Sequence, residues 1–154
     1  MTADAERAER RQRKDSRRRA REAAVQMLYQ WEVGRSPMAE VMRTFWTEGP
    51  AAQDQPSEDL EEFAATLANG VAGSVSEIDP MIAEAAEHWR IERMAIMDRL
   101  ILRLAVYEFL HQPETPAKVI INEALELART FSTDDAVRFI NGILDGIRRK
   151  LERE

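Results

Sequence analysis

No cysteine occurs in the 154 residues, so disulfides, thiolate nucleophiles and cysteine-based zinc or iron–sulfur sites are excluded. That usage fits a reducing cytoplasm. The two histidines, His88 and His111, lack the i, i+4 spacing of a helical metal pair. They read as ordinary helix-end residues, and no metal or cofactor is expected. No Gly-rich phosphate loop joins a strand to a helix, and no nucleophile elbow is present. Acidic residues fall on the polar faces of helices, so no acid–base pair stands out and no enzyme is expected. No apolar run approaches the ~20 residues of a membrane span. Residues 1–21 carry charge where a signal peptide would need an apolar region. Period-two alternation bounded by turn residues is missing as well, so no strand is expected.

What the chain does have is an uneven charge distribution beneath a net charge of −6. Residues 1–21 hold nine Lys/Arg against four Asp/Glu, while the other 133 residues hold thirteen against twenty-four. A basic arm on an acidic body suits two kinds of partner, a polyanion at one end and a basic protein elsewhere.

Residues 16–31 join these two characters. Ala20, Ala24, Met27, Leu28 and Trp31 recur at three- and four-residue steps, making one apolar helical stripe. The same segment opens with Arg17, Arg18, Arg19 and Arg21. If the helix begins near Ser16, those cations sit at its positive dipole end, where each costs ~0.3–1 kcal/mol. Either the run is a solvated face that happens to be basic, or it docks an anion; the unfavourable sign argues for docking. Residues 1–15 are polar and form a charged extension that either continues this helix or stays disordered. Residues 16–154 form the domain proper.

Downstream, further helices follow in turn. After Gly34, Ser36-Pro37 reads as a cap with proline at the first helical position, followed by the stripe Met38, Val41, Met42, Phe45 and Trp46. A loop over 47–56 carries Gly49, Pro50 and Pro56. Ser57 caps a third helix with core residues Leu60, Phe63, Ala64, Leu67 and Val71. Ser76 with Asp79 reads as the cap of a fourth, with Trp89 and Ile91 in the joint after it. Residues 93–110 are apolar around most of their circumference and read as a central helix. Thr115 reads as the cap of a sixth helix, lined by Val119, Ile120, Ala124, Leu127, Ala128 and Phe131. Ser132 with Asp135 reads as the cap of the last, with stripe Val137, Ile140, Leu144, Ile147 and Leu151. The expectation is an all-α domain of six or seven helices.

Two aromatics lie off these stripes. Tyr29 follows Arg18 by eleven residues, three turns, and shares its face. Phe139 is rotated about 100° from Ile140 and about 140° from Leu144, off the Ile140–Leu144 seam, at 100° per residue. An exposed ring beside arginines suits single-stranded nucleic acid, the arginines holding phosphates and the ring stacking on a base. A second buried seam would place both rings equally well, and periodicity leaves the two readings open. Gly142, after Asn141, is costly inside a helix. Close approach of a helix or ligand would explain it, as would a tolerated defect.

Three blocks together resemble the NusB family of bacterial transcription antitermination factors. The first is Arg17 to Gln26 with Leu28-Tyr29 and Trp31. The second is Asp98-Arg99, Ile101 to Ala105, and Tyr107-Glu108. The third runs from Pro116 to Phe131, then Phe139-Ile140-Asn141-Gly142-Ile143-Leu144. The likeness spans Arg17 to about Arg149, with residues 35–95 matching only in pattern.

The resemblance implies two small helical subdomains. It implies binding of boxA-type RNA together with NusE, a small-subunit ribosomal protein. Through that pair it implies assembly with other Nus factors on RNA polymerase during ribosomal RNA transcription. The implied RNA contacts are Arg17, Arg18, Arg19, Arg21 and Tyr29 on the first helix, and Asp135, Arg138 and Phe139 on the last. The implied protein-partner contacts are Glu92 and Asp98. Ala136-Val137 stands where many members have Ser and a polar residue, a departure at the RNA surface. Other readings are a freestanding NusB-like module acting in ribosomal RNA modification, and a self-associating helical protein; monomer and homodimer both fit the sequence.

Overall fold

A computed structural model describes residues 2–49, 51, 52 and 54–154; Pro50, one of the loop prolines, lies outside them. Seven α-helices and no strand occur among the described residues. They are α1 (Ala3–Glu32), α2 (Met38–Thr44), α3 (Glu58–Gly73), α4 (Val75–Ala85), α5 (Ile96–His111), α6 (Ala117–Phe131) and α7 (Asp134–Lys150), with a 3₁₀ turn at Ile91–Arg93. Helices α1 to α3 pack as one small group and α4, α6 and α7 gather in a second around α5. Helix α5 touches α1 and α3 as well, so it is the shared axis of the two groups. Seven consecutive residues of α5, Leu100 to Val106, are buried, as expected of a helix apolar around most of its circumference. No helix among the described residues is long and apolar enough to cross a membrane.

The first helix begins far earlier than Ser16. Thr2 caps it by accepting a hydrogen bond from the Ala5 backbone N–H at 3.1 Å, with Asp4 and Glu6 in the first turn. Acids at the start of a helix satisfy the dipole. Arg17 to Arg21 therefore lie in the middle of a 30-residue helix and incur no dipole penalty, which removes the physical basis of the sign argument.

Several capping assignments also change. Ser57 does cap α3, accepting from the Leu60 N–H at 3.2 Å. Pro37, not Ser36, is the cap residue of α2, and α4 starts from Ser74 and not Ser76. Thr115 does not cap α6; the Ala117 N–H donates instead to the Glu154 carbonyl at 2.8 Å. Thr133 caps α7 by accepting from the Ala136 N–H, because the Ser132 hydroxyl is engaged elsewhere.

Two helical glycines differ in what surrounds them. A Cβ at Gly70 would sit within the Tyr107 ring, so close approach of α5 requires glycine there. A Cβ at Gly142 would meet nothing within 4 Å, so no part of this fold requires glycine at that site. Gly142→Ala should therefore raise stability by ~1 kcal/mol, seen as a higher denaturant midpoint at constant m-value. An unchanged or lower midpoint would refute the assignment.

Candidate nucleic-acid interface

The start of α7, the turn before α5 and the end of the α4 joint converge on one groove. It encloses about 350 Å³ and is lined by Trp89, Arg93, Met94, Ala95, Asp98, Thr133, Asp135, Ala136 and Phe139. Phe139 is half-buried, with part of its ring on the core. Trp89 meets it edge-on, with centroids 5.7 Å apart and planes at 73°. Trp89 is 59 % exposed, an apolar surface that the fold itself does not use. Such a T-shaped pair is a favourable aromatic arrangement, and the exposed part of Trp89 offers apolar surface to a third planar group.

The groove gathers expectations that the sequence had placed apart. Asp135 and Phe139, expected on the RNA side, share it with Asp98, expected on the protein side. Arg138 and Asp135 form an exposed ion pair at 3.2 Å, a contact weak enough to exchange for an incoming anion. Asp98 is nearly buried and accepts a 2.6 Å hydrogen bond from the Ser132 hydroxyl. It thus ties the α6–α7 turn to α5 in addition to facing the groove. Glu92, in the 3₁₀ turn, is exposed. Ala136 is buried and Val137 half-buried against the core, so the departure at these positions is used for packing.

The α1 arginines do not form one patch. Arg21 is the clearest correction. Its Nε and Nη2 donate to both oxygens of Glu108 at 2.9 and 2.8 Å, with side chains 5 % and 2 % exposed. Helical phase explains this: Arg21 precedes Val25 and Leu28 by four and seven residues, on the side of α1 that faces the core. Arg18 is half-exposed and donates through Nε and Nη2 to Glu123. The hydrogen bond to Glu123, opposed by partial burial, raises the Arg18 pKa above its ordinary value. Arg17 lies over the Phe63 ring, its guanidinium carbon 3.9 Å from the centroid, and remains exposed with Arg19. Tyr29 is exposed. Helices α5 and α6 each touch both α1 and α7, so the arginines and the Phe139 groove are separated by intervening helices.

Behind the groove, α1 and α4 are bound to α5 by charge. Arg103 donates to both oxygens of Asp79 at 2.8 Å and to Glu32 at 3.4 Å, and Glu32 also accepts from Arg99 at 2.9 Å. Burial works against the charge of Arg103, but Asp79 and then Glu32 outweigh it and raise its pKa. Among the described residues, no group of three or more His, Asp or Glu could hold a metal ion.

Trp89 and Arg93 are the groove residues that sequence reasoning missed. Trp89 lies in a joint, where helical periodicity carries no information about exposure.

The chain is thus an all-helical module with an aromatic-lined groove and a separate basic helix face. The NusB family model matches residues 18–149. The transcription antitermination protein NusB of Koribacter versatilis is 45 % identical over 139 residues, covering 90 % of this chain and 92 % of that protein. That of Symbiobacterium thermophilum is 46 % identical over 140 residues, 89 % and 92 % of the two chains. The T. maritima NusB structure superposes with a TM-score of 0.77 at 32 % identity, covering 87 % of this chain and 91 % of that one. A structure of antitermination factors NusB and NusE in complex with dsRNA shares the fold, with TM-score 0.78 at 24 % identity, covering 88 % and 98 %. The chain belongs to the NusB family of transcription antitermination proteins.

Proposed function

We propose that this protein binds boxA-type single-stranded RNA together with a NusE-type ribosomal protein, and so supports antitermination complexes in ribosomal RNA transcription without catalysing a reaction. The observation that carries this reading is the Trp89–Phe139 ring pair in a groove lined by Arg93, with Arg138 ion-paired to the groove residue Asp135. Stacking of a base on such rings contributes ~1–3 kcal/mol, and arginines hold the phosphates on either side. Arg17 and Arg19 supply a second set of phosphate contacts on α1. Arg21 is left out because Glu108 holds it inside. Glu92 is the exposed acid available to a basic protein partner. Asp98 lines the groove, but it is nearly buried and anchors Ser132.

The test is RNA binding by the purified protein, with and without NusE, across a salt series. Contacts from Arg17, Arg19, Arg93 and Arg138 predict a log–log slope of roughly −3. Trp89→Ala should weaken boxA binding ~5- to 150-fold, the equivalent of one lost stack, while lowering the melting temperature by no more than the few degrees that loss of the Trp89–Phe139 contact costs. Phe139→Ala should weaken it as much but lower melting further, since part of that ring is core. Full RNA affinity in Trp89→Ala would discard the stacking site. Glu92→Lys is the corresponding probe for NusE, and normal NusE binding by that variant would remove Glu92 from the partner surface.

A further inference from the structure

The family match begins at Arg18, yet α1 continues unbroken toward the N-terminus to Ala3. At 100° per residue, Arg7, Arg10, Arg11, Lys14, Arg17 and Arg18 fall within one sector of about 120°. The acids of the same stretch, Asp4, Glu6, Glu9 and Asp15, lie outside that sector, together with one cation, Arg13. All residues from Thr2 to Asp15 are exposed, so no packing dictates this segregation. Three like-charged pairs, Arg7/Arg11, Arg10/Lys14 and Lys14/Arg18, stand at i, i+4, where repulsion destabilises a helix. Arg7 is paired with Asp4 and Arg18 with Glu123. Among the described residues, Arg10, Arg11 and Lys14 have no ion-pair partner. The carboxylates nearest Lys14 across the flanking clefts are Glu114, Glu123 and Glu126 on and before α6. Glu123 and Glu126 are already engaged by Arg18 and Arg129.

We propose that this stripe binds the phosphate backbone of RNA that flanks the segment held at the Trp89–Phe139 groove, extending the interface along α1 by about 17 Å at 1.5 Å per residue. The inference rests on the RNA-binding reading above and adds to it a second, sequence-independent contact surface. A polyanion relieves the repulsion within the stripe, and the stripe runs directly into Arg17, one of the phosphate contacts proposed on α1. Phosphate contacts of this kind position a nucleic acid without reading its sequence.

The experiment compares the full chain with the triple variant Arg10→Gln, Arg11→Gln, Lys14→Gln on two RNAs: a boxA core alone, and the same core with single-stranded flanks. Circular dichroism and melting check that the fold is retained. The variant should bind the flanked RNA on the order of tenfold to a hundredfold more weakly at physiological salt, with a log–log salt slope smaller by about 2. It should bind the bare core with wild-type affinity. An unchanged slope on the flanked RNA overturns the proposal while leaving the core site standing. Equal loss on both RNAs also overturns it, since the stripe would then belong to the core site. Wild-type RNA binding combined with loss of self-association or of NusE binding would make the stripe a protein contact and overturn it too. Failure of the wild-type chain to bind either RNA removes the core reading and the extension together.

Discussion

Arg21→Ala should cost the protein ~3–5 kcal/mol of folding stability. The reason is the carboxylate left behind. Glu108 sits inside the central helix at 1 % exposure, and Arg21 supplies both of its ion-pair hydrogen bonds. Removing the guanidinium strands a buried charge, which costs more than the pair contributed. The pair links α1 to α5, and so the first helical group to the shared axis. Replacing both members together with Arg21→Met and Glu108→Leu should recover most of the loss, because apolar side chains of similar volume restore packing without a charge to desolvate. Urea unfolding of the two variants decides the matter. A single substitution that costs less than ~1 kcal/mol, the value of an exposed pair, would mean that water reaches Glu108. RNA affinity corrected for the folded fraction should be unaffected by the double replacement, which separates Arg21 from its neighbours Arg17 and Arg19.

The second large effect is expected at Arg103. Its guanidinium is 7 % exposed and holds Asp79 of α4 and Glu32 of α1 at once. Arg103→Ala should destabilise by about 3 kcal/mol, somewhat less than at Arg21 because Asp79 and Glu32 are partly accessible and can regain water. The loss should be directional. Amide exchange should quicken in α4 and at the end of α1 before it does in α6 and α7, because those are the elements that Arg103 clamps to α5. Uniform acceleration would show that the clamp is not local. The pKa of Arg103 is raised in the folded state, so its contribution is fully present below the ordinary arginine value and is lost only as the pH rises through the still higher folded value, where the group gives up its proton. No pH dependence from this arginine should therefore appear in the neutral range.

The sequence made the architecture easier to read than the site. The apolar circumference of α5 announces a central helix, and the buried set on α1, Ala20, Ala24, Met27 and Leu28, follows its stripe. The caps were harder, because serine and threonine near a helix start have more than one possible partner. Ser132 illustrates this: it spends its hydroxyl on Asp98 and leaves capping to Thr133. Arginine was the main source of error. Residue-type patterning treats it as surface, yet Arg21 shares an i, i+4, i+7 line with Val25 and Leu28, and Glu108 interrupts the most apolar helix of the chain. An arginine on one core stripe and a glutamate on another are the legible trace of a buried pair. Tyr29 is exposed, one of the two arrangements that its phase left open. Phe139 divides its ring between the core and the groove, which is why periodicity alone could not choose between the two readings. Trp89 left no trace, since exposure in a joint depends on how the chain turns and not on a repeat.

One consequence of α1 concerns how its two ends can vary. A single unbroken helix from Ala3 to Glu32 makes the arm and the core one rigid screw, so the azimuth of the basic stripe is indexed to the seating of Ala20, Ala24 and Leu28. Inserting one residue between Lys14 and Ala20 would turn the arm by 100° and swing its cations away from the side where Arg17 stands. Inserting seven would leave it within about 20° of its starting phase. Length in this arm is therefore quantised: it can grow or shrink by near-integral turns and still address the same side of the protein.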